Sequence, residues 1–203
     1  MRISLQHTKC VLLTVEKYHQ RYLEVMDRIT GKLTATPFYG FDLPRPHGFN
    51  NSIIKLYNSV VPPVLIIEDD VDLTEHYINE FDVPDDADAV YLGTSSWGGK
   101  NGISAWKNIE LIPHDDLLFR VDGVATTHAI LYLSNRYLDH ICNITFKQYP
   151  QNTDRCLDYY IAQEHSKFNI YACRKPMFYQ NDGGNVFLTR YSLQQVYQDK
   201  YGT

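Results

Sequence analysis

Val64-Leu65-Ile66-Ile67-Glu68-Asp69-Asp70-Val71 is the stretch on which the fold assignment turns. Four consecutive branched apolar residues show no polar alternation, so a strand formed here must be covered on both faces. Such a strand belongs to a mainly parallel sheet flanked by helices, and in those sheets ligands bind beyond the carboxyl ends of the strands. Glu68, Asp69 and Asp70 stand at that end. Three adjacent carboxylates repel one another, and an oxygen-preferring divalent cation, Mn²⁺ or Mg²⁺, relieves the repulsion. The plainer reading is a solvated turn in which Asp72 or Thr74 caps a following helix, a role that needs one carboxylate and not three.

Toward the N-terminus, Cys10-Val11-Leu12-Leu13-Thr14-Val15 reads as a strand. Residues 16–29 then place Tyr18, Tyr22, Val25, Met26 and Ile29 at helical spacing, and Gly31 can end the helix. The stretch 37–48, punctuated by Pro37, Gly40, Pro44, Pro46 and Gly48, is expected to be a loop between two βα units. Asn50 or Asn51 can cap a helix carrying Ile53, Ile54, Leu56, Tyr57 and Val60, which Pro62-Pro63 breaks. Toward the C-terminus, strands are expected over 87–92, 109–112, 117–121 and 129–133, with helices over 135–142 and 153–164. The Gly-rich stretch 93–102 around Trp97 reads as a loop able to close over a ligand and exclude water, or as a plain surface hairpin. Segment 180–185 reads as donor lining or a simple turn. Together these elements predict a single α/β domain over 1–203, Rossmann-like, with a mainly parallel sheet flanked by helices.

Composition narrows the function classes. With 203 residues, 44% hydrophobic and 21% charged, the chain has a globular make-up rather than a disordered one. A formal net charge of -5 argues against gripping a phosphate backbone, so nucleic acid is not an expected partner. The opening Met1-Arg2-Ile3-Ser4-Leu5-Gln6-His7 lacks an apolar leader core, and Val11-Leu12-Leu13 is too short to span a bilayer. A cytoplasmic protein without a membrane span is therefore expected. Cys10, Cys142, Cys156 and Cys173 show no CxxC spacing and read as core or surface thiols. His128 enters an apolar strand and reads as a packed histidine more readily than as a metal ligand.

The order of motifs resembles GT-A type glycosyltransferases, and among them the lipooligosaccharide and procollagen galactosyltransferase family. The matching features are Leu65-Ile66-Ile67-Glu68-Asp69-Asp70-Val71, then Val90-Tyr91-Leu92-Gly93, then Thr126-Thr127-His128-Ala129-Ile130-Leu131-Tyr132-Leu133-Ser134. Thr14-Val15 with the later Arg21 resembles the family's opening, and Thr153-Asp154-Arg155-Cys156-Leu157 resembles its later Asp-containing segment. The family's Gly-Cys-x-x-Ser-His step is absent, and Asn50-Asn51-Ser52 occupies that region. The resemblance implies a GT-A-like fold and metal-dependent transfer of a hexose from a nucleotide sugar, most simply a UDP-hexose. The acceptor would be a saccharide, a protein or a lipid-linked sugar.

By the same resemblance Asp70 is the metal ligand. Glu68 or Asp69 contacts the ribose or a metal-bound water, and Thr14, Val15 and Arg21 lie beside base and phosphates. From sequence alone Arg21 is equally a helix-surface partner of Glu24. Asp154 and Asp158, four apart on one expected helix, are the candidates for the catalytic base, or else an exposed acidic first turn. A second class of function is a response-regulator receiver. Val64 to Leu73 resembles its opening strand and acid pair, Lys175-Pro176 its late Lys-Pro step, and Asp115 or Asp116 would accept the phosphoryl group. The run Asp70-Val71-Asp72-Leu73-Thr74 also fits a haloacid-dehalogenase nucleophile loop, but there the nucleophile follows the strand directly.

Overall fold

A computed structural model of the chain describes residues 1–44, 46–94, 109–148, 156–181 and 192–202. Its first half runs β1 (Arg2–Ser4), β2 (Lys9–Thr14), α1 (His19–Ile29), β3 (Ala35–Tyr39), α2 (His47–Tyr57), β4 (Val64–Glu68), β5 (Val71–Leu73), β6 (Glu80–Asp82) and β7 (Ala89–Tyr91). It continues with β8 (Glu110–Pro113), β9 (Leu118–Asp122), β10 (Ala129–Tyr132), α3 (Asn135–Gln148), α4 (Leu157–Gln163), β11 (Ile170–Cys173), β12 (Phe178–Gln180) and α5 (Leu193–Tyr201). Eight strands form one sheet in the order β3-β2-β4-β10-β7-β11-β9-β8. Following the pairings across it, only β10 and β9 run against the other six. The expected α/β architecture, a mostly parallel sheet flanked by helices, is what the chain adopts.

The lack of alternation in β4 has the anticipated cause. Val64 and Ile66 join one core cluster with side chains of α2, α3, α4 and α5, among them Ile53, Leu56, Ile141, Ile161 and Val196. Leu65 and Ile67 join a second cluster with Val25 and Ile29 of α1, Ile3 of β1, Phe81 of β6 and Phe178 of β12. Because successive side chains of a strand point to opposite faces, a strand between two such layers has to be apolar throughout. The second face is closed by α1 and two small antiparallel ribbons, β1 with β6 and β5 with β12, rather than by further helices.

Three local expectations are corrected. Residues 37–39, expected as loop, complete the strand Ala35–Tyr39: Pro37 sits opposite Leu12 in a parallel pairing with β2. Pro37 is tolerated because β3 is the sheet's edge, where a missing ladder donor costs nothing. The helix expected to start at Asn50 or Asn51 starts at His47, after Pro46. Residues 71–73 are a strand paired with 178–180, so Asp72 and Thr74 cap no helix. The pairing supplied by residues 170–173 and 178–180 comes from more than fifty residues away, and local periodicity carries no trace of it.

Asn50 instead does long-range work. Fully buried in α2, it accepts a hydrogen bond through Oδ1 from the Leu157 backbone N–H at 3.0 Å. Leu157 opens α4, whose own N-cap side chain makes no capping bond, so Asn50 supplies the cap across the interface and fixes α4 against α2. Asn50→Ala strands that amide in the core and is expected to cost about 1–2 kcal/mol in urea unfolding. An unchanged midpoint would show that the contact contributes nothing.

Candidate active site

Strands β2, β3 and β4 are parallel and adjacent, so their carboxyl ends share one edge of the sheet. The chain leaves β2 through α1 toward β3 and then returns through α2 to β4 on the far side of β2. A crevice between the first and third parallel strands is where an open α/β sheet has its topological switch point. A cleft of about 270 Å³ lies there, lined by the end of β2, the start of α1, the loop after β3, the start of α2 and the acidic triplet.

Six of the residues singled out from sequence meet in that cleft: Thr14, Val15, Arg21, Glu68, Asp69 and Asp70. Each carboxylate is held from a different direction. Thr127 Oγ1 donates to Glu68 Oε1 at 2.7 Å, and the Glu68 amide donates to the His128 carbonyl at 3.0 Å. Thr14 Oγ1 donates to Asp69 Oδ2 at 2.6 Å. Gln180 Nε2 donates to Asp70 Oδ2 at 3.0 Å, and the Asn181 amide donates to the Asp70 carbonyl. Arg21 then spans two of the acids, its guanidinium nitrogen lying 3.0 Å from Asp69 Oδ1 and 3.4 Å from Asp70 Oδ2. The surface pairing of Arg21 with Glu24 does not form; Glu24 accepts from Gln20 instead.

The triplet is nearly buried, with each of its residues 9% exposed. In that setting like charges are costly, and Arg21 offsets two of them. Its guanidinium also lies 4.8 Å from the Tyr18 ring centroid, a cation–π contact that steadies it at the cleft mouth. Asp72, one turn of chain further on, belongs to a separate network of Arg28, Tyr179 and Asn181, with the tyrosine hydroxyl donating at 2.9 Å.

The loop after β3 is the part of the cleft that sequence reasoning missed. Phe41, Asp42, Leu43 and Pro44 line it, together with Gly48, Phe49 and Ser52 of α2. Ser52 Oγ accepts from the Phe41 amide at 2.7 Å and donates to the Gly48 carbonyl at 2.6 Å, clamping the loop onto the helix. A Cβ on Gly48 would stand 2.3 Å from the Leu43 carbonyl oxygen, so only glycine lets the loop lie this close. Asp42 reaches across to pair with Lys17. The available signal was the Pro/Gly punctuation directly after a parallel strand, the usual position of ligand-binding loops.

No protein-family model matches the chain. No curated protein matches it at a significant level either. Among solved structures the chain is similar to the CTP:phosphocholine cytidylyltransferase of Streptococcus pneumoniae, with a TM-score of 0.46 and 11% identity, covering 95% of this chain and 97% of that one.

Asp154, the Gly-rich stretch from residue 95 onward with Trp97, and residues 182–185 lie outside the described residues. Asp158 sits in the first turn of α4, where its Oδ1 accepts from the Tyr159 amide at 2.8 Å, and it is not among the residues that line the cleft. His128 is packed as expected. It is 1% exposed, and burial pushes its imidazole down to about 4 while the Phe178 backbone pulls the other way. All four cysteines are free thiols, with Cys10 and Cys173 buried. Among the described residues no helix is long and apolar enough to cross a membrane, and no three His, Cys, Asp or Glu side chains group as a metal cage.

Proposed function

We propose that the chain is a nucleotide-sugar glycosyltransferase whose donor occupies the cleft between β2 and β4. The supporting observation is that Thr14 and Arg21, from the first βα unit, close on Asp69 and Asp70, from the end of the third parallel strand, inside one ligand-sized cleft. That juxtaposition joins a base-and-phosphate side to an acidic side, as transfer from a nucleoside diphosphate requires.

A divalent ion suits this donor set without a three-ligand cage. Mg²⁺ and Mn²⁺ sites at phosphates commonly use one or two carboxylates and complete their shell with substrate oxygens and water. Arg21 already places a positive charge between Asp69 and Asp70 as a stand-in. Asp70, with Asp69 beside it, would hold the ion. When bound, such an ion stabilises the charge that develops on the departing diphosphate.

The chain's own residues do the rest. Thr14 fixes the orientation of Asp69, Thr127 that of Glu68, and Gln180 that of Asp70, so the acids are positioned before the donor arrives. Val15, Tyr18, Phe41 and Phe49 provide the apolar wall for a nucleobase or sugar. The acceptor hydroxyl loses its proton to a carboxylate, for which Asp154 and Asp158 are the candidates. UDP-hexose is the donor to try first, and a saccharide, protein or lipid-linked sugar is the acceptor class.

The receiver reading meets a geometric obstacle. Asp115 and Asp116 lie in the hairpin between β8 and β9, where Asp115 Oδ1 accepts from the Leu117 and Leu118 amides. In the sheet order β9 stands four places from β4, roughly 19 Å at the usual strand spacing, too far to share a phosphoryl group with the triplet.

The deciding measurement is the melting temperature with Mn²⁺ and uridine diphosphate, apart and together. A ligand present at about 100 times its Kd adds about 2.7 kcal/mol to the folded state, which for a chain of this size is a rise of about 5–10 °C. Absence of any rise with uridine, guanosine or cytidine diphosphate would remove the proposal.

A further inference from the structure

Resting on the nucleotide-sugar reading of the cleft, we infer that Arg21 is a built-in counter-cation that makes the metal ion and the nucleotide diphosphate bind together and each alone only weakly. Among the described residues four carboxylates line the cleft, Asp42, Glu68, Asp69 and Asp70, against two cations, Lys17 and Arg21. Lys17 is taken up by Asp42. Arg21 therefore carries the compensation of the triplet by direct contact with Asp69 and Asp70.

A divalent ion arriving alone has to compete with this guanidinium for the same two carboxylates, at the cost of ion pairs already made. A diphosphate arriving alone meets an excess of negative charge whose cation is already engaged. Arriving together, the two exchange partners: the ion takes Asp69 and Asp70, and the guanidinium turns to the phosphate oxygens, which accept its planar donors well. Arg21 can make that turn. Its side chain is 39% exposed at the cleft mouth and is rooted in the first turn of α1, with the guanidinium resting on the face of the Tyr18 ring. The coupling is reciprocal, since whatever the diphosphate does for the ion the ion does equally for the diphosphate.

The test is direct Mn²⁺ binding, read by electron paramagnetic resonance of free Mn²⁺ and by calorimetry, with and without uridine diphosphate. It uses the wild-type chain, Arg21→Gln and Arg21→Lys, each first checked for an intact fold by circular dichroism. For Arg21→Gln, Mn²⁺ affinity without nucleotide is expected to rise roughly tenfold, because a partly exposed opposing charge has been removed. The gain from adding uridine diphosphate should shrink by a similar factor. Arg21→Lys keeps the charge and should behave like wild type without nucleotide. Equal Mn²⁺ affinity of wild type and Arg21→Gln without nucleotide, with nucleotide-dependent uptake intact in both, would overturn this inference and leave the donor site standing. No uptake by any of the three chains under either condition would overturn both.

Discussion

Asp70→Asn is expected to abolish the joint stabilisation by Mn²⁺ and uridine diphosphate and to lower sugar transfer by roughly a hundredfold or more, the scale on which a metal-held charge supports a departing diphosphate. The fold should survive. An asparagine at position 70 retains a carbonyl oxygen for the Gln180 amide now 3.0 Å away, and Arg21 keeps Asp69 at 3.0 Å. The unliganded melting temperature is therefore expected to stay within a few degrees of wild type, or to rise as one of three crowded charges disappears. Thermal scans with both ligands, paired with transfer assays, check the point. Full ligand-induced stabilisation in Asp70→Asn would take the ion away from Asp70.

Between pH 7 and pH 5 the chain is expected to lose about 2 kcal/mol of stability through His128 alone. Burial holds its imidazole at about 4 in the folded chain against an ordinary 6.5. The folded pKa is depressed, so below pH 6.5 the unfolded chain binds the proton and the folded chain does not. The stabilisation is intact above pH 6.5, and it is lost progressively as pH falls toward 4. His128 sits behind Gly93, where an added Cβ would come within 2.4 Å of its Nε2, so the ring has no room to move out to water. Urea midpoints at pH 7 and pH 5 measure the loss, and His128→Phe, which keeps a flat ring, should flatten the profile by that amount. An equally steep profile in His128→Phe would assign the acid sensitivity to other groups. Because the His128 backbone carbonyl accepts from the Glu68 amide, its protonation loosens the base of the acidic triplet as well as the core.

Several features were legible because they depend only on local periodicity. The apolar run 64–67 required cover on both faces and received it. The spacing of Tyr22, Val25, Met26 and Ile29 required a helix with one apolar side, and that side packs on the second core cluster, whereas Tyr18, first of the expected series, precedes α1 and is exposed. The acids were placed at the carboxyl end of a parallel strand by counting along the chain, and the cleft is there. Of the stretch 37–48, residues 37–39 belong to an edge strand: Pro37 argues against a strand in general, while an edge position removes the objection.

The sequence by itself determined the layered α/β architecture, the fully buried β4 and the location of Glu68, Asp69 and Asp70, since each follows from side-chain period and strand direction. Only the tertiary structure decided which of several chemically equivalent partners each group meets. Arg21 could have paired with Glu24 three residues away, yet it pairs with Asp69 and Asp70 almost fifty residues on. Asn50 could have capped its own helix, yet it caps α4 over a hundred residues later. The physical reason is the same in both cases. An exposed local pair gains little over water, whereas a nearly buried carboxylate or helix-end amide is costly until something satisfies it, so the fold brings the partner to the group with the larger penalty.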